Sequence, residues 1–166
     1  WTEIVVRQTA PAIQTPAAFA APADQQIRIQ ANAAWAAQQS AAFWNRYGGI
    51  VLAESKSLGI DPEDAVAILV TESAGEPFGP SGRMTIRFEN HVFYRFWGKS
   101  NPALFSQHFA FNGAEEWIGH LWRPDAQSPW QTCHVDQATE WTVFEFARTL
   151  DATSALKSIS MGAAQI

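Results

Sequence analysis

Apolar residues recur at helical spacing from Ala33 to Ser57, where Trp35, Phe43, Trp44, Tyr47, Ile50 and Val51, followed by Leu58, outline one helix. Gly48-Gly49 is the point at which it can kink, and Gly59 stops it. A second helix is predicted from Asp61 to Thr71. Asp61 can cap it, Pro62 suits its first turn, Glu63 and Asp64 favour its positive end, and Ser73-Ala74-Gly75 ends it. A dense set of turn residues, Glu76 to Gly82, separates it from a stretch that alternates cleanly: Met84, Ile86 and Phe88 on one face, Thr85, Arg87 and Glu89 on the other. That pattern predicts a strand belonging to a small β-hairpin. Asn90 can cap a helix over His91 to Trp97, and Pro102 opens another through Phe109. Residues 110–133 are Trp-rich and irregular, and Ala138, Trp141, Val143, Phe144 and Ala147 mark a long helix from Val135 to Leu150, followed by a short one over Thr153 to Ser158. The fold class expected is mainly α with a small β-hairpin (α+β).

The first 30 residues read differently. Trp1 to Val6 is β-branched and suits a terminal strand, so residues 1–7 are read as the end of an upstream module. Residues 8–30, rich in Ala, Gln and Pro (Pro11, Pro16, Pro22), have the composition of a semi-extended linker. The body is expected to be residues 31–166, and the chain reads as a piece cut from a longer protein.

Composition narrows the chemistry. A hydrophobic fraction of 47% with 16% charged residues indicates a folded body. The net charge of −5, without a Lys/Arg cluster, argues against a nucleic-acid groove. No run of about 18 apolar residues suggests an integral membrane segment, and Trp1 onward shows no signal peptide. One cysteine, Cys133, allows no internal disulfide. The histidines, His91, His108, His120 and His134, show no zinc-binding spacing, so neither metal nor other cofactor is expected. Eight tryptophans and eleven phenylalanines can build a core, and Trp can also stack on sugar faces.

Glu72 is the residue that the helical pattern explains least. It falls in the last turn, where the helix dipole opposes a negative charge, and lies three and four residues after Leu69 and Ile68. On that apolar face both effects would raise its pKa, as a general acid near neutral pH requires. The alternative is a solvated Glu at a frayed end. Glycoside hydrolysis commonly pairs such an acid with an ionised carboxylate. Glu89, on the strand face with Arg87, fits that role; otherwise it is an exposed strand residue. Glu140 and Glu145 are expected on the solvated side of their helix, and Asp151 as a cap. Ser73 can hydrogen-bond at the helix end beside Glu72.

Four stretches in one order carry a resemblance: Ala42 to Gly49 (A-F-W-N-R-Y-G-G), Val70 to Gly75 (V-T-E-S-A-G), Ile86 to Phe93 (I-R-F-E-N-H-V-F), and Ser158 to Ile166 (S-I-S-M-G-A-A-Q-I). With them the chain resembles the N-acetylmuramidase family of phage endolysins and bacterial wall-lytic proteins, a branch of the lysozyme-like superfamily. The resemblance runs from about residue 40 to the end. It implies a lysozyme-like fold that cleaves the β-1,4 bond between N-acetylmuramic acid and N-acetylglucosamine, with Glu72 as general acid. Glu89 is then the candidate second catalytic residue, and Ser73, His91, Tyr94 and Gln165 are candidates for contact with substrate. Because the family domain continues further, the resemblance also implies that residues 31–166 are C-terminally truncated, and that a peptidoglycan-binding module precedes the linker. Expected partners are bacterial peptidoglycan glycan strands, met in the periplasm or cell wall after export or phage release, by a monomer. Two alternatives stay open: a lytic transglycosylase on the same fold, and a non-catalytic peptidoglycan-binding domain.

Overall fold

A computed structural model describes residues 19–166, so the strand expected over residues 1–7 and the first part of the linker lie outside the described residues. The chain divides into two compact units, one reaching Thr85 and including Gly162–Ala164, the other formed by Ile86–Met161 with Gln165–Ile166.

The first unit is built on α1 (Trp35–Leu58) and α2 (Pro62–Ser73). Helix α1 runs through Gly48-Gly49 without a break and stops where Gly59 adopts a left-handed conformation, its N–H donating to Ser55 O. Pro62 occupies the first turn of α2, and Ala74 (φ 55°) and Gly75 (φ 76°) turn the chain away at its end. Phe43, Tyr47 and Val51 of α1 pack against Val66 and Val70 of α2. Part of the expected linker is docked here. Asn45 accepts from Ile27 N–H and donates to Ile27 O, Trp44 Nε1 donates to Gln25 O, and Ala21 is buried. Gly162 returns from the far end of the sequence, its N–H donating to Thr85 O, and brings Ala163 against the Phe43–Tyr47 cluster.

The second unit contains strand β1 (Ile86–Phe88), α3 (Asn90–Phe96), α4 (Pro102–His108), β2 (Phe109–Ala110), β3 (Leu121–Trp122), β4 (Gln131–Thr132), α5 (Gln137–Leu150), α6 (Ala152–Leu156) and β5 (Ile159–Met161). The alternation around β1 is real: Ile86 and Phe88 are buried and Arg87 is exposed. Its partner, however, is β5, antiparallel, with Arg87 opposite Ser160. The expected hairpin is reduced to a single bridge between Phe78 and Met84 in the first unit. The stretch expected to be irregular instead forms the antiparallel sheet β2-β3-β4. The fold class stands, mainly α with small β elements.

Asn90 does not cap α3. Its buried amide donates to Ala110 O and Leu121 O, tying the start of α3 to β2 and β3. Most of the aromatic excess is core. Phe88, Phe93 and Phe109 are fully buried, and Trp97 stacks on Phe93 with ring centroids 5.0 Å apart. Burying one such ring contributes about 1.5–3 kcal/mol.

Asp136 and Asp151 cap α5 and α6 by accepting from Thr139 N–H and Ser154 N–H, both at 2.7 Å. Those backbone hydrogen bonds hold both carboxyls below the usual carboxylate range. A depressed folded-state pKa gives stability that is present above the unfolded value of about 3.9 and lost as pH falls through the folded value. The urea midpoint is therefore expected to drop below about pH 4. A D136N/D151N double variant, whose amides cap without titrating, is expected to show a shallower drop; an unchanged profile would remove the caps from the acid response.

Candidate functional site

Glu72 sits one residue before the end of α2, in its last turn, as expected. Its surroundings differ from the expectation. The face of α2 that packs is Val66 and Val70, and two residues further on, about 200° around the helix, Glu72 is exposed, together with Ile68. Its carboxylate makes no hydrogen bond or ion pair with any described residue. Ser73 is half-buried, and its hydroxyl donates to Leu69 O at 2.9 Å rather than to Glu72. Both belong to the first unit, with Gly162–Ala164 of the closing motif.

Glu89, His91, Tyr94 and Gln165 belong to the second unit. Glu89 lies between β1 and α3, and its backbone N–H donates to Ser158 O. Its side chain is not the solvated one that alternation allows. Arg87 Nε donates to Glu89 Oε1 at 2.8 Å. The other oxygen, Oε2, turns inward and lies 3.5 Å from both His91 Nδ1 and His120 Nδ1. Glu89 Oε2 and His91 Nδ1 are both buried without a hydrogen-bond partner among the described residues. Tyr94 packs its ring against Phe105 and Phe111, and Phe111 in turn contacts His91 and His120. Gln165 occupies a left-handed conformation (φ 51°) in the turn closed by Met161 N–H and Ile166 O.

Beneath Glu89 runs a polar chain that the sequence reading missed. His120 is 1% exposed. Its Nε2 lies 2.8 Å from Glu116 O, an acceptor only, so Nε2 carries a hydrogen. Burial is the main cause that lowers the His120 pKa, which favours the neutral ring with a lone pair on Nδ1. His134 Nε2 lies 2.8 Å from that lone pair and donates to it, and His134 Nδ1 is 2.6 Å from Glu140 Oε1. Glu140 Oε2 accepts the N–H of Phe88 at 2.8 Å, while Gln137, one turn earlier on α5, exchanges two hydrogen bonds with the backbone of Ile86. The edge of β1 away from β5 is thus satisfied by side chains of α5.

Glu140 therefore corrects the expectation of a solvated helix position: it is 4% exposed. Its spacing to Val143, Phe144 and Ala147 is i, i+3, i+4, i+7, the buried-face pattern, and that was the signal available. Cys133 is inert by comparison. Burial pushes its thiol up to about 12, and it donates weakly to Asn90.

Each unit offers one candidate carboxylate, and the two differ in character: Glu72 is exposed at a helix end with no partner among the described residues, and Glu89 is fixed by an arginine and set against the imidazoles of His91 and His120. Compared with known proteins, the chain matches the family model for N-acetylmuramidases over residues 61–166, a span that contains both. No curated protein and no solved structure matches.

Proposed function

Because the chain belongs to the N-acetylmuramidase family, enzymes of the glycoside hydrolase kind that act on peptidoglycan, we propose that it cleaves the β-1,4 bond between N-acetylmuramic acid and N-acetylglucosamine, with Glu72 as general acid. The observation that carries this reading is the exposed Glu72 carboxyl at the end of α2, without a partner among the described residues. A group with no hydrogen bond to any described residue can present its proton to a glycosidic oxygen, and Ala74 and Gly75 fix the turn just beyond it.

Glu89 is the second carboxylate. Arg87 Nε donates to its Oε1 and fixes the carboxyl in place, suited to activating water or stabilising positive charge on the sugar. His91, Tyr94 and Gln165 contribute contacts to the glycan, and Ser73 supports the helix end while its hydroxyl oxygen can still accept. The substrate places the protein at the cell wall, reached by export or by phage release.

Digestion of purified peptidoglycan, read by mass spectrometry, tests the reaction. Products with reducing N-acetylmuramic acid ends are expected. Anhydromuramic ends would replace hydrolysis by transglycosylation, and reducing N-acetylglucosamine ends would move the cut to the other bond. Wall binding without any product would leave a non-catalytic binding domain.

A further inference from the structure

We propose that Glu89, His91 and His120 form a binding site for a divalent cation of the zinc class, and that its occupancy withdraws Glu89 from hydrolysis. Binding itself does not depend on the proposed function; the inhibitory consequence rests on that reading of Glu89.

The donors are Glu89 Oε2, His91 Nδ1 and His120 Nδ1, all within 4.8 Å of one another. Glu89 Oε2 is 3.5 Å from each imidazole nitrogen. Tetrahedral bonds of about 2.0–2.1 Å around one ion would hold neighbouring ligands roughly 3.3 Å apart, so these two spacings need little adjustment. Two of the three donors are buried atoms without a hydrogen-bond partner among the described residues, an unfavourable state that a cation relieves.

The outer contacts are those that orient metal ligands. His120 gives its other ring N–H to Glu116 O, which leaves the Nδ1 lone pair as its ligand, and Arg87 holds the second oxygen of Glu89. Coordination by His120 displaces the hydrogen bond from His134, which remains held by Glu140. A set of two imidazoles and one carboxylate suits Zn²⁺, Co²⁺ and Ni²⁺. Ca²⁺ and Mg²⁺ prefer all-oxygen shells. Side-chain exposures of 18% for Glu89 and 15% for His91 give an ion a way in. Spacing conceals the site, because His120 arrives 29 residues after His91 (120 − 91) through the β2-β3 sheet rather than on the same helix.

The test uses the full chain, untagged and stripped of metal, titrated with Co²⁺ and then Zn²⁺. One equivalent of Co²⁺ is expected to give visible d–d absorption that Zn²⁺ abolishes and excess Mg²⁺ does not. H91F keeps a ring against Phe111 and removes a donor. It is expected to weaken Co²⁺ binding at least ~100-fold, beyond the 10–100-fold typical of losing an outer partner. E89Q provides a second variant, and circular dichroism checks the fold of both. No stoichiometric Co²⁺ binding, or binding that both folded variants retain, overturns the site. Saturating Zn²⁺ is expected to stop wall hydrolysis reversibly, with activity returned by a chelator. If Co²⁺ binds as described but Zn²⁺ leaves hydrolysis unchanged, the site stands and the inhibition is overturned, along with Glu89 as second carboxylate. If Co²⁺ binds and the metal-free chain hydrolyses no wall, the site stands while the hydrolase reading fails.

Discussion

Glu72→Gln is expected to lower the rate of peptidoglycan hydrolysis by roughly 10²–10⁴-fold, the usual contribution of a general acid. The amide has nearly the same size but cannot deliver a proton to the leaving oxygen. The structure makes the measurement clean. Glu72 is exposed and makes no hydrogen bond or ion pair with any described residue, so no such contact is lost with its charge. Stability should stay within about 0.5 kcal/mol, as for most exposed substitutions. Turnover measured on purified wall, beside a melting curve, therefore separates chemistry from folding. A folded variant that retains rates within a few-fold of the parent would show that Glu72 is not the acid.

The elements legible in the sequence are those whose signals are local. Gly59, Pro62 and Ala74-Gly75 delimit α1 and α2 because a fixed φ and a left-handed turn are chemical properties of single residues, whereas Asp61, expected to cap α2, makes no side-chain cap hydrogen bond. Asp151 was readable as a cap and does cap α6. Alternation over Ile86–Phe88 revealed a strand, but periodicity carries no information about which strand pairs with it, and the partner lies near the end of the chain. The two-residue strands β2, β3 and β4 are too short to show any period. The same distinction governs the site. Glu72 was legible because a glutamate is out of place at a helix C-terminus, although its face was misjudged: the packed positions are Val66 and Val70, not Ile68. Alternation and resemblance make Glu89 a candidate. His120, His134 and Glu140 were not legible, because three separate elements bring them together and only contact makes them a unit.

Glu140→Ala is expected to destabilise the second unit by about 2–5 kcal/mol, since a buried donor left without its acceptor costs about 1–3 kcal/mol and two donors are affected. Two groups lose their acceptor at once. The Phe88 N–H, on the edge of β1 away from β5, is buried and finds no water, and His134 loses the carboxylate that fixes its ring under His120. The void adjoins Phe88, Val143 and Phe144 in a packed aromatic core, which adds to the cost. For a chain of this size the melting temperature should fall by roughly 10 °C. Glu140→Gln keeps a neutral acceptor for Phe88 N–H at nearly the same size, so a smaller loss of about 1–3 kcal/mol is expected. Urea unfolding of the two variants orders these effects. If both stay within about 0.5 kcal/mol of the parent, Glu140 behaves as a solvated helix residue and the buried chain beneath Glu89 is not structural. The contrast with Glu72→Gln is the sharper outcome: that substitution should remove activity at constant stability, whereas Glu140→Ala should lower stability first. Charge alone cannot produce this division, since both residues are helical glutamates. The difference follows from what each carboxylate touches.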